Sequence, residues 1–333
     1  MNKYILTTDV MRRALLEQAK ERFNIPAEAI EKDLWVTQVL QALFSLPVSE
    51  HLVFKGGTSL SKAWHLIDRF SEDIDLAIDP VFLGYPECDL TKKQIKKLRK
   101  ASSLFVLGTL TEQLRDRIEE MGLGEWLTIE PQSNGEGDNT YPEPRQIYIH
   151  YKSALTGVSG YLRSDIVLEI SARSLIEPTE DVSIHSMLSE VVPIKDFGDI
   201  PIVTAVPGKT FLEKAFLLHE LFSVEGHGQK AERKSRHLYD LYRMMDKDFA
   251  LAAVKDDVLW QTIRHHREIY TSVNGMDYTP DIRKRIVLVP REDIIDAWQR
   301  DYEGMREAMI YGEKPTWKML IQRMLELQER FRI

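Results

Sequence analysis

Residues 51–59, His-Leu-Val-Phe-Lys-Gly-Gly-Thr-Ser, and residues 71–76, Ser-Glu-Asp-Ile-Asp-Leu, decide the fold of this chain. The first stretch predicts a short apolar strand that ends at paired glycines, which then open a helix. Residues 74–79, Ile-Asp-Leu-Ala-Ile-Asp, alternate as a strand does. On such a strand, Asp73 and Asp75 of the second stretch point to the same face. The order is therefore a strand, a glycine turn, a helix and an acidic strand.

The paired glycines predict a phosphate-binding turn. Gly56 and Gly57 let the backbone approach a ligand closely, and the start of the following helix offers free N–H groups to phosphate. Thr58 and Ser59 add hydroxyl donors. A Gly-Gly turn followed by a Thr or Ser helix cap is also a common structural feature, so this motif alone does not decide the function.

The paired aspartates predict a metal site. Two carboxylates side by side on a strand repel each other, and a bound cation relieves that repulsion. Oxygen ligands of this kind suit Mg²⁺ or Mn²⁺. Taken alone, Asp73 and Asp75 could equally mark the exposed face of a strand.

A third carboxylate lies in a later apolar strand, Asp-Ile-Val-Leu-Glu-Ile at residues 165–170. A lone Glu169 in such a run is unfavourable unless it is paired or binds a metal ion. Asp165 lies on the same face of this strand and is the alternative third ligand.

These elements, in this order, resemble the DNA polymerase β-like nucleotidyltransferase superfamily. The resemblance implies an α+β fold, in which a mixed sheet with flanking helices is followed by an α-helical C-terminal domain. It also implies that the glycine turn holds the triphosphate of an NTP and that two or three carboxylates hold two Mg²⁺ ions. The third carboxylate is often Asp in that superfamily, whereas here it would be Glu169, whose longer side chain would change the metal geometry.

Further motifs resemble the AbiEii/AbiGii toxin family of nucleotidyltransferases over about residues 25–315. The motifs are Glu31-Lys32-Asp33-Leu34-Trp35-Val36, Lys55-Gly56-Gly57-Thr58-Ser59-Leu60, Arg69-Phe70-Ser71-Glu72-Asp73-Ile74-Asp75-Leu76, Leu212-Glu213-Lys214-Ala215, Ser235-Arg236-His237-Leu238-Tyr239-Asp240-Leu241-Tyr242, Asp301-Tyr302-Glu303-Gly304-Met305 and Met309-Ile310-Tyr311-Gly312-Glu313. The resemblance implies a toxin of a toxin–antitoxin or phage abortive-infection system. It implies a cognate antitoxin as partner and an RNA acceptor such as the 3′ end of tRNA.

The resemblance also implies the site residues. The metal ligands would be Asp73, Asp75 and Glu169. The nucleotide-binding residues would be Lys55, Gly56, Gly57, Thr58, Ser59, Ser71 and Lys214. Lys214 and Asp240 would join Asp73 and Asp75 as catalytic residues, lining the nucleotide pocket across from the sheet.

Both of these later residues have a structural alternative. Lys214 lies in an apolar helix, where it could simply be a surface lysine. Asp240 could form an ion pair with Arg236 or Arg243 on its own helix. His219, Glu220, His265 and His266 lack partner motifs, and we predict structural roles for them.

The remaining pattern predicts two domains. Residues 8–45 indicate two helices, about 90–121 a basic helical region, Gln132–Pro144 a loop, and 145–152, 164–171 and 200–206 further strands, with Gly157 and Gly160 in the connection between the first two. From Pro207 onward the pattern indicates helices at about 208–224, 232–246, 249–255, 258–271, 291–310 and 315–330. We therefore predict a nucleotidyltransferase domain over 1–205 and a helical domain over 206–333 that completes the nucleotide pocket.

The amino-acid composition excludes several classes of protein. The 333 residues are 43% hydrophobic and 29% charged, which is typical of a globular protein. The single cysteine excludes a disulfide framework and a thiolate zinc site. Residues 1–18 have no signal-peptide core, and no apolar run approaches the roughly 20 residues of a membrane span. We predict a cytoplasmic protein with no membrane segment.

Charge is unevenly distributed. The net charge of −8 argues mildly against nonspecific nucleic-acid binding. Two clusters reverse this balance locally: Lys92, Lys93, Lys96, Lys97, Arg99 and Lys100, and Lys230, Arg233, Lys234, Arg236 and His237. Either cluster could face a polyanion, although a solvated helix face is the simpler explanation for each alone.

The sequence thus predicts metal-dependent transfer of NMP from an NTP to an acceptor, with tRNA first among the candidates. One alternative is an acceptor hydroxyl on a protein or a small molecule, which the acidic net charge slightly favours. A second alternative is a catalytically silent protein that binds nucleotide or an antitoxin, against which the complete carboxylate set argues.

Overall fold

A mixed sheet organises the N-terminal part of the chain. The computed structural model describes residues 7–71, 73–133, 141–155, 165–191 and 199–332. Within these residues, seven strands form one sheet: β1 (Leu52–Lys55), β2 (Asp73–Ile78), β3 (Leu127–Pro131), β4 (Arg145–Tyr151), β5 (Asp165–Ser171), β6 (Thr179–Ile184) and β7 (Ile200–Ala205). Their spatial order is β3-β4-β5-β2-β1-β7-β6. Strand β2 is antiparallel to β1 but parallel to β5, so the sheet is mixed.

Helices flank the sheet and make up the C-terminal part of the chain. The first five are α1 (Asp9–Phe23), α2 (Ala27–Phe44), α3 (Gly56–Lys62), α4 (Lys92–Leu104) and α5 (Thr111–Glu120). The six later helices are α6 (Pro207–Ser223), α7 (Arg236–Met244), α8 (Asp248–Lys255), α9 (Asp257–Tyr270), α10 (Ile295–Ala308) and α11 (Trp317–Phe331). A π-helical segment, Phe105–Leu110, joins α4 to α5. None of the helices in the described part of the chain combines the length and hydropathy needed to cross a lipid bilayer.

The chain divides into two units. The first consists of Met1–Ala63, Phe70–Cys88 and Lys92–Thr204, and the second of Trp64–Arg69, Asp89–Thr91 and Ala205–Ile333. The short segment after α3 belongs to the second unit because hydrogen bonds hold it there. Trp64 Nε1 donates to the Ala205 carbonyl at 3.1 Å, and the Tyr311 N–H donates to the Asp68 carbonyl at 3.0 Å.

In the first unit, charged residues of α2 join separate parts of the chain. Asp33 accepts a hydrogen bond from Lys62 Nζ at 2.6 Å and another from the Met187 N–H at 2.8 Å. Glu31 accepts from the Ala154 N–H at 2.7 Å. Trp35, which is buried, stacks on Trp126 with ring centroids 6.2 Å apart. The Glu-Lys-Asp motif of this helix therefore has a structural role.

In the second unit, the C-terminal motifs are structural as well. Asp301 accepts hydrogen bonds from the N–H groups of Arg233 and Ser235 just before α7 begins. The core contains aromatic contacts such as Phe216 against Trp260, with ring centroids 4.2 Å apart. Glu220 forms buried contacts with Arg267 and Tyr278, so its predicted structural role is confirmed.

The predicted α+β fold is confirmed, but two strands were not predicted. Strand β3 is short and ends in a proline, and β6 reads Thr-Glu-Asp-Val-Ser-Ile, which is too polar to give a strand signal. The basic helical region is interrupted by the π-helical segment. Glu72, the central residues 134–140 of the predicted loop, and the predicted glycine connection at Gly157 and Gly160 lie outside the described residues.

His219 makes the stability of the second unit pH-dependent. It is 4% exposed, and its Nδ1 accepts a hydrogen bond from the Val287 N–H at 3.0 Å. Burial lowers the pKa of His219 to about 4, and the charge of Arg285 adds to this effect. The folded protein therefore holds this ring neutral at pH values at which an unfolded histidine, with a pKa near 6.5, is already protonated.

We expect stability to fall as the pH drops from about 6.5 to about 4, because over this range the unfolded chain binds a proton that the folded chain does not. His219→Asn keeps an acceptor near the Nδ1 position and cannot titrate. The variant should remove roughly 3 kcal/mol of the acid-induced loss, measured by urea unfolding near neutral pH and in mild acid. An acid-induced loss of equal size in both proteins would contradict this role.

Candidate active site

Four polar side chains form a row across neighbouring strands. The register pairs Gln146 of β4 with Glu169 of β5. It pairs Glu169 with Asp75 of β2, and Asp75 with Lys55 of β1. Paired residues of neighbouring strands point to the same face, and neighbouring strands are about 4.8 Å apart. The carboxylates of Asp75 and Glu169 therefore lie side by side at the centre of this row of four. We call the row, from Gln146 to Lys55, the carboxylate row.

Asp73 extends the carboxylate row along β2. It lies two residues before Asp75, on the same face, opposite Val167 of β5. Asp165, the alternative third carboxylate, lies opposite His150. It is four residues from Glu169 along β5, which corresponds to roughly 13 Å. The register places Glu169, rather than Asp165, beside Asp75.

Gly56 packs directly against the carboxylate row. Its φ of +76° lies in the left-handed region that favours glycine. A Cβ atom at this position would lie 2.0 Å from Oδ2 of Asp75 and 2.7 Å from its Cγ. Two independent features therefore require glycine at this position: the left-handed backbone conformation and the close approach of the Asp75 side chain.

The hydroxyl residues of the turn are buried and hydrogen-bonded. Thr58 Oγ1 donates to the Asp73 carbonyl, and Ser59 Oγ donates to the Gly56 carbonyl at 3.0 Å. The first bond fixes the turn to the strand that carries the aspartates. Ser71 is also buried. Phosphate binding by Thr58, Ser59 and Ser71 stays a prediction.

Gln146 and Tyr148 were not singled out in the sequence. Gln146 Nε2 donates to Oε1 of Glu169 at 2.6 Å, and Gln146 Oε1 accepts from the Tyr148 hydroxyl at 2.8 Å. This chain of hydrogen bonds orients the Glu169 carboxylate. A Gln and a Tyr two positions apart on a strand are unremarkable, so only the β4–β5 register could have revealed them.

The donor set suits a hard divalent cation. Three carboxylates on one face supply the oxygen ligands that Mg²⁺ and Mn²⁺ prefer, and their mutual repulsion favours a cation between them. Among the described residues, no three His, Cys, Asp or Glu side chains already converge on one point as metal ligands. Metal binding by Asp73, Asp75 and Glu169 stays a prediction that requires their side chains to turn towards a common point.

The second unit holds a buried cluster of charges. Both oxygens of the Asp240 carboxylate accept from Arg69, through Nε at 2.6 Å and Nη2 at 2.7 Å. Lys214 Nζ lies 2.9 Å from Oδ2 of Asp240 and 3.4 Å from Nδ1 of His237. The side chains of Arg69, Lys214 and Asp240 are at most 8% exposed.

Burial and charge set the protonation states of this cluster. Burial opposes ionisation of Asp240, but Arg69 and Lys214 outweigh it and hold the pKa of that carboxyl well below its usual range. Burial lowers the pKa of Lys214, against the attraction of Asp240. Burial and the charge of Lys214 lower the pKa of His237, so its ring is neutral and can accept from Lys214.

The cluster bears on the structural alternatives predicted for Lys214 and Asp240. Lys214 is buried, so its reading as a surface lysine is wrong. Asp240 is in an ion pair, as its alternative predicted, but the partners that the structure shows are Arg69 and Lys214, whereas Arg243 pairs with Asp68 at 2.7 Å. No role for Arg69 was predicted from the sequence. The available signal was its place at the start of the motif at residues 69–76, four residues before β2.

Gly56→Ala should destabilise the fold more than a matched glycine substitution. Gly84 also has a positive φ, of +84°, but a Cβ there meets nothing within 4 Å. Gly84→Ala should cost only the backbone strain, roughly 1–2 kcal/mol. Gly56→Ala should cost more because Asp75 must also move. Equal losses for the two variants in urea unfolding would show that Asp75 does not constrain Gly56.

Asp240→Asn should be strongly destabilising because it leaves two buried cations without their counter-charge. We expect a loss of about 3–5 kcal/mol in the free energy of unfolding. Asp246→Asn is the control. Asp246 is 61% exposed and also contacts two arginines, Arg323 and Arg330, yet its loss should stay within about 1 kcal/mol. A loss of that small size for Asp240→Asn would contradict the central place of this carboxylate.

The sequence matches one family of known proteins. The family described as "Nucleotidyl transferase AbiEii toxin, Type IV TA system" matches residues 38–325. Among solved structures, MenT4, a nucleotidyltransferase toxin from Mycobacterium tuberculosis H37Rv, is similar, with a TM-score of 0.46, 16% sequence identity and coverage of 98% of each chain. No curated protein matches the chain significantly. Because the family match spans most of the sequence, this chain belongs to the AbiEii nucleotidyl transferase toxin family of type IV toxin–antitoxin systems.

Proposed function

We propose that this protein is an active nucleotidyltransferase that moves NMP from an NTP to the 3′ end of an RNA, with tRNA as the acceptor. The reaction depends on Mg²⁺ or Mn²⁺ and takes place in the cytoplasm. The carboxylate row carries the proposal, because Asp75 and Glu169 are in register and Asp73 shares their face.

The reaction forms one bond and breaks another. The acceptor hydroxyl oxygen attacks the α-phosphorus of the NTP, the bond to pyrophosphate breaks, and the hydroxyl proton is released. Asp73, Asp75 and Glu169 are the proposed metal ligands. The bound ions would lower the pKa of the acceptor hydroxyl and neutralise charge on the phosphates.

The other residues near the carboxylates are proposed to orient them or to contact the nucleotide. Gln146 holds the Glu169 carboxylate through its 2.6 Å hydrogen bond. Lys55, opposite Asp75, adds a positive charge on the same face, where it can attract the triphosphate. Gly56 and Gly57 keep the turn free of side chains, with Thr58, Ser59 and Ser71 as further proposed contacts of the nucleotide.

In the second unit, Lys214 is the proposed phosphate ligand. Its ammonium group would neutralise charge that develops on the phosphates. Asp240 acts as a positioning residue, because both of its oxygens are taken by Arg69 and Lys214. The proposed partner that controls the enzyme is a cognate antitoxin, as family membership implies.

The test is incubation of the purified protein with each NTP, radiolabelled on its α-phosphate, together with Mg²⁺ and total bacterial RNA. Label should move onto a band the size of tRNA, with release of pyrophosphate. Asp75→Asn and Glu169→Gln should each reduce the rate at least about a hundredfold. Asp165→Asn is the matched control, because it removes a carboxylate from the same strand outside the row, and it should retain activity.

The other outcomes are informative. Label on protein or on a small molecule would reject RNA as the acceptor while keeping the chemistry. No label with any NTP, despite nucleotide binding, would indicate a catalytically silent member. Equal losses for Asp165→Asn and Glu169→Gln would overturn the assignment of the third carboxylate.

A further inference from the structure

Helix α4 carries a positive face over its first nine residues, Lys92 to Lys100. Lys92, Lys93, Lys96, Lys97 and Lys100 are all exposed, and we call them the lysine face. At 100° per residue, they span an arc of roughly 140° around the helix. Leu98, which is fully buried, lies on the opposite side. The helix therefore packs through one side and presents five ammonium groups on the other, where Leu104, at the C-terminal end, is also exposed.

This arrangement is unfavourable for the helix itself. Lys92 and Lys93 occupy the first turn, where the helix dipole disfavours positive charge. Lys92 and Lys96, Lys93 and Lys97, and Lys96 and Lys100 are like-charge pairs at i, i+4, which also destabilise a helix. A surface kept only for solubility would mix both signs of charge.

The lysine face has no neutralising partner within the described part of the chain. No carboxylate among the described residues forms a salt bridge with any of its five ammonium groups. The one described contact is Lys100 Nζ over the ring of Tyr141, at 5.9 Å from the centroid. The second basic cluster is different, because Arg233, Lys234, Arg236 and His237 are all partly buried.

Contacts place α4 close to the carboxylate row within the first unit. Arg99 Nε donates to the Tyr141 carbonyl at 2.8 Å. Two residues later, Glu143 accepts from Ser171 Oγ at 2.7 Å. Ser171 lies two residues after Glu169 on β5, on the same face and roughly 7 Å away. Helix α4 is thus tied through residues 141–143 to the strand that carries the third carboxylate.

We propose that the lysine face binds the sugar–phosphate backbone of the RNA acceptor and so brings the RNA end to the carboxylate row. This inference rests on the proposed function and adds to it the docking surface. Five ammonium groups along one helix match a repeating phosphate chain, and binding releases the counterions of that chain. The repulsion within α4 is then relieved by the ligand rather than by the protein.

The test measures binding without catalysis. Full-length Asp75→Asn protein is titrated into unfractionated bacterial tRNA labelled with fluorescein, and anisotropy is followed at several salt concentrations. Adding Lys93→Glu and Lys96→Glu should raise Kd at least about tenfold and reduce the slope of log Kd against log salt by about two. Lys230→Glu with Lys234→Glu is the matched control, with the same charge change in the second basic cluster, and should change Kd less than about threefold.

Stability provides a second readout. Because Lys93 and Lys96 take part in the unfavourable pairs, their replacement by Glu should leave Tm unchanged or raise it. Weaker tRNA binding by a protein that is no less stable is therefore the expected result. A lower Tm would show that the lysines stabilise the fold, and it would overturn the argument from unfavourable charge.

The two proposals can fail separately. If wild-type protein labels tRNA but the α4 variant binds it with unchanged Kd, the docking surface is wrong and the proposed function stands. If the lysine face binds tRNA but no NTP labels it, the proposed acceptor chemistry is wrong and the binding surface stands. A loss of binding confined to the Lys230 and Lys234 variant would assign the RNA to the second cluster instead.

Discussion

The parallel pairing of β2 with β5 is the constraint on which the candidate site depends. It sets Asp75 beside Glu169, although like charges on neighbouring strands repel each other. A slip of one residue would turn these side chains to the opposite face. The register is held by the other face of the same strands, where Ile74, Leu76, Leu168 and Ile170 are fully buried. Burial of apolar side chains thus keeps two repelling carboxylates together.

A second constraint is the buried charge cluster of the C-terminal unit. Removing Arg69, Lys214 and Asp240 from water is unfavourable, and only their close mutual contacts offset that desolvation. Such a cluster contributes little net stability but tolerates the loss of a partner poorly. Arg69 precedes Asp73 by only four residues, so one short segment of sequence supplies both the cluster and the carboxylate row.

In three places, therefore, the arrangement of charged side chains is unfavourable for local stability. The carboxylate row collects negative charge on one sheet face, the cluster buries an ion network, and α4 collects positive charge on one helix face. Local rules of stability are expected to fail mainly where function requires it. The distribution explains how a chain of net charge −8 can still present a basic surface.

The sequence by itself determined the main helices, five of the seven strands and the motifs that indicate the family, because periodicity and turn residues are local properties of the chain. The polar strand β6 and the short strand β3 were not predicted, since their strand character comes from neighbouring strands rather than from their own residues. Only the tertiary structure decided the long-range partners: Glu169 rather than Asp165 beside Asp75, Gln146 beside Glu169, and Arg69 on Asp240. The physical reason is that register and burial join residues far apart in the chain, and no local pattern records which of them will meet.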